Sequence, residues 1–525
     1  MRESRVSFAQ LCDGRSAAGC PDPDMPRASS SALILKNFVY SSAIMGGFLT
    51  IIDKDFLPPY TCLYRRSNPE PLMQVNLAGA EEGSSPRMGI FGASAANMLN
   101  MIGVGPFLSI PLILVAVHGS KVLLAWILGA AISLCDGLVW AELGSAMPYS
   151  GGPYFYLRHA FGAQSYGKAA SFLVLWSSVL TAPLLIASGA VGFSQYFHYL
   201  WPALHGAGLC VMAMAVCLIN VVLLYRRITT ISAISIGLWI LVIGTIVWII
   251  VSGAGHIPSA LRGQLSGGFP AMDGAFWKGA GAATLIAVYD YAGYYNVCLI
   301  GGELKRPERT IPYSIILSIL LIAVLYIAMN LAILGVLPVQ QSMHSSAIVA
   351  DYMQVVYSVR SARVADVLIL VASFASVFAI LLGFSRIPFA AATHGEFFSL
   401  FAKVHPTKNF PHVSLVILGV LSACACLLSL STLISLVIVI QIMVQFLAQC
   451  VAVVFLRRRH VEGHNLAFRM PLYPLPAIVA FLGWLLILIS SGVSNILFAF
   501  AITLAGVAAF LYKSRQEQAW PFETL

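Results

Sequence analysis

The chain has 525 residues, of which 59% are hydrophobic and 10% are charged, and its net charge is +9. A soluble domain carries about 25% charged residues, so 30 Lys and Arg with 21 Asp and Glu cannot cover a soluble protein of this size. The composition argues against a soluble enzyme, a nucleic-acid-binding protein and a disordered chain. It predicts a helical membrane protein whose apolar surface is covered by lipid.

Apolar runs that are long enough to cross a bilayer recur along most of the chain. A membrane-spanning helix needs about 20 mostly apolar residues. Runs of this kind lie near residues 89–115, 122–145, 167–192, 204–225, 231–252, 275–301, 312–337, 364–388, 412–430, 432–455, 472–490 and 493–512. We therefore predict an all-α integral membrane protein with twelve transmembrane helices over residues 88–512, followed by a cytoplasmic tail over 513–525.

The basic residues predict the orientation of these spans. Sixteen of the 30 Lys and Arg fall in the even-numbered loops and the C-terminal tail, five in the odd-numbered loops and nine before residue 88. Because Lys and Arg accumulate on the cytoplasmic side, both termini are expected in the cytoplasm. Short loops and the lack of an N-x-[ST] sequon in the sequence fit a multi-pass protein of a bacterial inner membrane.

Residues 1–87 differ from the rest of the chain. They contain clustered prolines, scattered charges and one apolar stretch over residues 32–52, which Lys36 and Asn37 interrupt. A thirteenth span or an interfacial helix would disturb the charge pattern of the loops. The preferred interpretation is an extension that is disordered, or a misassigned start with Met73 or Met88 as the first residue.

Two predicted spans contain residues that oppose a continuous helix. The first span holds Gly103, Gly105 and Pro106, which release the backbone from helical geometry. The sixth span holds four tyrosines, an aspartate and an asparagine over residues 289–296, which are costly in a membrane unless they line a cavity. A packing kink explains one break, but two breaks at matching positions are typical of transporters.

The positions of the breaks predict the arrangement of the spans. They lie in spans 1 and 6, which favours two five-span repeats over about residues 88–252 and 275–455. Because five is an odd number, the second repeat is inverted relative to the first. Two additional C-terminal helices then occupy residues 472–512.

Four motifs resemble those of the amino acid–polyamine–organocation (APC) superfamily. Residues 103–107 are similar to its G-S-G-[IV]-F, and residues 141–158 resemble A-E-L-x-x-x-x-P-x-x-G-G-x-Y-x-Y-x-R. Residues 302–312 resemble G-E-[VL]-x-x-P-x-R-x-[IL]-P, and residues 468–471 are typical of the segment before span 11. The resemblance implies a LeuT-like, five-plus-five inverted-repeat transporter that works by alternating access. It is nearest to the amino acid permease and L-type/polyamine-uptake branches.

The resemblance implies a substrate site between the two breaks. Free N–H groups at the start of a half-helix suit a carboxylate, and free carbonyl groups in span 6 suit an ammonium. The predicted substrate-binding residues are Ile102, Gly103, Val104, Gly105, Tyr289, Asp290, Tyr291, Ala292, Gly293 and Tyr294. Tyr289 stands where the family has a gating aromatic residue. Packing within the bundle is the alternative for each tyrosine.

Two carboxylates in mid-span are the most unusual residues of the sequence. Asp290 is interpreted as a site for an amine or a proton, and a helix-capping acceptor is the alternative. Asp136 is interpreted either as part of an interhelical hydrogen bond or as a proton-coupling group.

Further charged residues and serines are candidates for gating and coupling. The candidates are Asp136, Glu142, Arg158, Glu303, Arg309, Ser373 and Ser376. The resemblance puts the Glu and Arg residues at the inner mouth, whereas the serines in span 8 offer hydroxyl groups to sodium or bond to their own backbone. Span 5 lacks the Lys of many proton-coupled relatives, so both H⁺ and Na⁺ remain open as coupling ions.

The leading hypothesis is a secondary active transporter that moves amino acids across the plasma membrane by ion-coupled symport or exchange. A polyamine or organic-amine transporter and a non-transporting amino acid sensor are the alternatives. We expect no enzyme activity, cofactor, metal or nucleic-acid partner. The loop over about residues 193–204 has no Cys, so no obligate disulfide-linked subunit is expected; the oligomeric state stays open.

Overall fold

The computed structural model of the protein describes residues 88–522 apart from 119–120, 149–151, 163–164, 226–230, 266–273, 302–303, 394, 406–409 and 459–467. The predictions for residues 1–87 and for Glu303 lie outside the described residues. Within the described part the chain is helical, and it contains one isolated bridge between Met88 and Leu304 but no β-strand.

The helices follow the apolar runs of the sequence. The first half forms α1 (Ile90–Met101), α2 (Gly105–Ala116), α3 (Val122–Ala146), α4 (Pro153–Ala160), α5 (Tyr166–Leu200), α6 (Ala207–Leu224), α7 (Ile231–Ser252) and α8 (Ile257–Leu265). The second half forms α9 (Gly274–Tyr291), α10 (Asn296–Leu299), α11 (Pro307–Leu334), α12 (Val339–His344), α13 (Ile348–Val356), α14 (Val359–Phe384), α15 (Arg386–Thr393), α16 (His412–Ala425), α17 (Leu430–Gln441), α18 (Leu447–Arg458), α19 (Leu475–Ser490) and α20 (Val493–Gln516). A π-helical turn over Ile442–Phe446 joins α17 to α18.

Among the described residues, seven helices are long and apolar enough to cross a membrane. Two bent pairs raise the number to nine: α1 with α2, bent by 50°, and the end of α7 with the segment to Leu265, bent by 52°. The apolar helices α16 and α19 are shorter. Lipid chains offer no hydrogen-bond partner to the backbone. A segment of this composition is therefore expected to form a helix, which pairs its own N–H and C=O groups. The predicted class, an all-α integral membrane protein, is confirmed.

Some helix ends differ from the apolar runs. The third run ends at residue 192, but α5 continues to Leu200. This extension is less apolar, and it is stabilised by side-chain packing, since Phe193 and Phe197 stack one turn apart with ring centroids 6.2 Å apart. The short helices α4, α12 and α13 lie in predicted loops, because helices of six to nine residues leave too weak a periodic pattern in the sequence.

The two broken spans pack beside α3 and α11. Helix α11 contacts both α3 and α1, whereas α9 contacts both α3 and α2. Small residues allow this close approach: a Cβ added at Gly137 of α3 would stand 2.6 Å from Ile319 and 3.0 Å from Ile315 of α11. Helices in a membrane associate through such close contacts between small residues and apolar side chains.

Candidate functional site

The break in the first span leaves backbone donors free. Helix α1 ends with a hydrogen bond of 2.8 Å from the Ile102 N–H to Met98 O, and α2 starts with Gly105 and Pro106. In the described structure, the N–H groups of Gly103, Val104 and Gly105 donate to no acceptor. They lie at the N-terminus of α2, which carries about half a positive charge. This geometry suits an anionic group.

The break in the sixth span lies directly against the first one. After α9 the chain turns through Gly293, whose φ is +122°. A Cβ at this position would meet backbone atoms of the first span, Asn100 C at 2.9 Å and Met101 N at 3.0 Å. Gly293 therefore allows the two unwound segments to touch, which a residue with a side chain would prevent.

Asp290 faces the start of α2. Its side chain is buried, with 2% of the residue exposed. A Cβ added at Gly105 would overlap Asp290 Oδ1 and would stand 3.2 Å from the Tyr289 ring. Among the described residues, neither carboxyl oxygen of Asp290 accepts a hydrogen bond of good geometry, although the Ser109 hydroxyl lies near enough to interact with the carboxyl group. A buried carboxylate without a partner is costly, so this group is suited to bind a proton or a ligand.

Aromatic residues enclose the breaks. The Ser188 hydroxyl donates to Leu185 O, so it accepts from the Tyr289 hydroxyl at 2.5 Å. Tyr291 packs edge-on against Trp126, with ring centroids 6.0 Å apart, and its hydroxyl lies 3.4 Å from the Trp126 carbonyl oxygen. The hydroxyl groups of these two tyrosines are therefore used in contacts between helices.

Asp136 has two side-chain partners, in contrast to Asp290. Its Oδ2 accepts a hydrogen bond of 2.6 Å from the Tyr294 hydroxyl, and its Oδ1 accepts one of 3.0 Å from Trp484 Nε1. These bonds join α3 to the sixth span and to α19. Both are interhelical hydrogen bonds, one of the two alternatives that the sequence left open for Asp136.

The charged gate candidates lie in separate contacts. Glu142 is 1% exposed and holds Arg457 through two hydrogen bonds of 2.5 and 2.6 Å. It also accepts from the Met470 N–H at 2.8 Å. The Arg457 guanidinium lies 3.8 Å from the ring centroid of Tyr473. Glu142 thus joins the end of α3 to the end of α18 and to the segment before α19.

Arg158 forms a second pair elsewhere. It contacts Glu396 and donates to the Tyr154 hydroxyl at 2.9 Å. Burial, followed by the negative charge of Glu396, raises the pKa of Tyr154, which keeps this phenol neutral. Arg309 is exposed and has no ion-pair partner among the described residues.

The two serines of α14 differ in their contacts. Ser373 donates to Ile369 O at 2.8 Å, so its proton is used by its own helix. Ser376 faces the first break, since a Cβ at Gly103 would stand 2.9 Å from its Oγ. A small cavity beside it is lined by Asn100, Ile102 and Val242. No group of three or more His, Cys, Asp or Glu able to hold a metal occurs in the described structure.

The sequence interpretation missed three polar residues, of which Tyr326 and Asn97 contact the broken helices. Tyr326 of α11 donates to Met101 O at 2.9 Å and lies 3.4 Å from Asp290 O, so it contacts the ends of both broken helices. Asn97 of α1 accepts from the Val297 N–H at 2.9 Å. Asp366 of α14 is buried, and its carboxyl oxygens have no described partner. Polar residues inside apolar runs are the signal that marks all three.

Comparison with known proteins identifies the family. A family model described as amino acid permease matches residues 88–522. The chain belongs to the amino acid permease family. The APC resemblance is confirmed, and because this family and the relatives described next are transporters, the expectation that the chain is not an enzyme is confirmed as well.

Three Bacillus subtilis permeases illustrate the relationship. The serine/threonine exchanger SteT is 27% identical over 441 residues, which cover 82% of this chain and 96% of that protein. The methylthioribose transporter is 24% identical over 463 residues, 85% of this chain and 97% of that protein. The aspartate-proton symporter is 25% identical over 312 residues, 55% of this chain and 57% of that protein. These matches and the apolar helices make the chain a multi-pass membrane permease.

Proposed function

We propose that this permease is a secondary active transporter that moves amino acids across the plasma membrane by alternating access, as an ion-coupled symporter or an exchanger. The contact between the two breaks is the observation that supports this proposal most directly. Gly293 meets the backbone of Asn100 and Met101, so free N–H groups of one span lie beside the end of the other. Relatives named for serine/threonine exchange and for aspartate–proton symport support amino acids as the substrate class.

Each end of a zwitterion then has a partner in the site. The substrate carboxylate binds the N–H groups of residues 103–105, where the dipole of α2 favours negative charge. The ammonium binds backbone carbonyl groups at the end of α9, over residues 289–292, with Tyr289 as the gating aromatic residue. Ile102, Val104, Tyr291, Ala292 and Tyr294 shape the site around them.

We further propose the full arrangement of spans. Twelve spans follow if α9 with α10 forms one span and α16 and α19 each form another, besides the nine that length and composition support. The two inverted repeats then cover about residues 88–252 and 275–455, with two added helices over 472–512. This arrangement puts both termini in the cytoplasm of an inner-membrane protein, with residues 513–525 as a cytoplasmic tail.

The contacts of Glu142 and Arg158 support a gating role, since each joins segments from different spans. We propose that these pairs, together with Arg309 and Glu303, close the inner mouth of the substrate path. Ser376 beside Gly103 is the candidate for a sodium ligand, and Ser373 a weaker one. If transport is ion-coupled, the candidate ions are H⁺ and Na⁺, and the proposal includes no cofactor.

Uptake by the purified protein in liposomes tests the function. Each proteinogenic L-amino acid and putrescine are supplied in turn, with a sodium gradient, a pH gradient or internal substrate. We expect uptake of amino acids by the wild type and its loss in Gly105→Ala, whose Cβ overlaps Asp290 Oδ1. Gly244→Ala is the matched control, because a Cβ there meets no atom within 4 Å. Failure of every amino acid to enter would refute the proposal.

One observation favours a second substrate class. Asp290 offers a buried carboxylate with no described partner, and an organic amine without a carboxylate needs such an anionic group. Uptake of putrescine without uptake of any amino acid would select this alternative.

A further inference from the structure

The Asp290 carboxyl group lies beside the first residue of α2, close to the N–H groups proposed to bind the substrate carboxylate. Its Oδ1 occupies the space beside Gly105 into which a Cβ would project. Gly105 begins α2, and the N–H groups of residues 103–105 donate to no described acceptor. The side chain is 2% exposed, neither oxygen accepts a hydrogen bond of good geometry, and the nearest polar side chain is the uncharged Ser109 hydroxyl. A carboxyl group of the protein itself therefore lies next to the half-helix N-terminus proposed for the substrate carboxylate.

The groups around Asp290 supply no compensating positive charge. Helix α2 contributes Gly105 and Ser109. Helix α9 contributes the neighbouring phenols Tyr289 and Tyr291, and α11 contributes Tyr326. No Lys, Arg or His forms an ion pair with Asp290 in the part of the chain that the structure describes.

Two carboxylates cannot share this place while both are charged. Like charges in contact at a buried site repel each other strongly, and one half-helix terminus offsets only a part of this repulsion. A proton on Asp290 removes the repulsion and turns the side chain into a hydrogen-bond donor.

We propose that Asp290 and the substrate carboxylate compete for the N-terminus of α2, so that an amino acid binds together with one proton, which Asp290 holds. This inference rests on the proposed function, amino acid transport. The only bond that changes is an O–H bond: a proton from the solution on the side of entry binds the Asp290 carboxylate and stays there while the zwitterion is bound. The O–H bond breaks again, and the proton is released, when the substrate leaves. Amino acid binding is therefore stronger at low pH.

The proposal is tested by measuring the affinity of the full chain for each proteinogenic L-amino acid while the pH is lowered from about 8 to about 5. The wild type is expected to gain up to about tenfold in affinity per pH unit, as one bound proton requires. Asp290→Asn cannot ionise and is expected to show almost no slope. Asp366→Asn is the matched control, because Asp366 is also a buried carboxylate without a described partner, and it is expected to keep the wild-type slope.

A second measurement needs no variant. In weakly buffered solution, amino acid binding to the wild type is expected to take up about one proton per substrate when Asp290 is ionised beforehand. A flat pH profile, no proton uptake, or a slope that survives in Asp290→Asn would overturn the inference and leave amino acid transport intact. A slope lost only in Asp366→Asn would overturn it too, by assigning the proton to another carboxylate.

The pH dependence of putrescine binding distinguishes an amine transporter from an amino acid transporter. An amine without a carboxylate binds the ionised form of Asp290, so its affinity would fall as the pH is lowered. Binding of putrescine with this opposite slope, and of no amino acid at any pH, would refute both the proposed function and the proton inference. Binding of amino acids with no pH dependence would refute the proton inference alone.

Discussion

The contact between the two broken spans predicts a severe effect of Gly293→Ala. An L-residue at a φ of +122° is strained, at a cost of about 1–3 kcal/mol. The new Cβ would also stand 2.9 Å from Asn100 C and 3.0 Å from Met101 N. Both are backbone atoms that cannot rotate away, so the spans must separate, at a further cost of about 1–3 kcal/mol. The sum, about 2–6 kcal/mol, is a large part of the stability of a typical protein.

Gly395→Ala is a control for a positive φ without a close contact. Gly395 has a φ of +73°, but a Cβ there meets no atom within 4 Å, so this variant carries only the backbone strain. We expect Gly293→Ala to lower the unfolding temperature in detergent clearly more than Gly395→Ala does. It should also abolish uptake in liposomes, because the displaced end of α1 loses the hydrogen bond from Tyr326 to Met101 O. Equal unfolding temperatures and intact uptake in both variants would refute the close contact between the breaks.

The other two predictions concern buried carboxylates that have partners. Glu142→Ala leaves Arg457 unpaired and is expected to lower the unfolding free energy by about 3 kcal/mol. In a double-mutant cycle, adding Arg457→Ala should recover part of this loss. If the losses of the two single variants simply add, the ion pair between these residues is contradicted. Asp136→Leu deprives Tyr294 and Trp484 of their acceptor and should cost about 2–6 kcal/mol, since each unsatisfied buried donor costs about 1–3 kcal/mol. Asp136→Asn keeps an acceptor and a donor and should cost clearly less by thermal unfolding, so equal stabilities of the two variants would count against the hydrogen bonds.

The sequence predicted the class, the family and the positions of the breaks. Apolar runs and the motif at residues 141–158 are local features, so composition and order are enough to find them. The helix ends were less predictable: the last eight residues of α5 are stabilised by aromatic packing rather than by hydropathy. The roles of Tyr326 and Asn97 were missed, because their partners lie on other helices more than 190 residues away along the chain.

What the sequence by itself determined is that the chain is a membrane permease with two interrupted spans and a few charges inside the bilayer. In the sequence, Asp136 and Asp290 look alike, as carboxylates in apolar runs. Only the tertiary structure distinguished them: Asp136 receives two well-formed hydrogen bonds, whereas Asp290 receives none of good geometry from the described chain and faces the start of α2. Likewise, Glu142 pairs with a residue 315 positions away. The physical reason is that the cost of a buried charge depends on its neighbours in space, which helix packing selects.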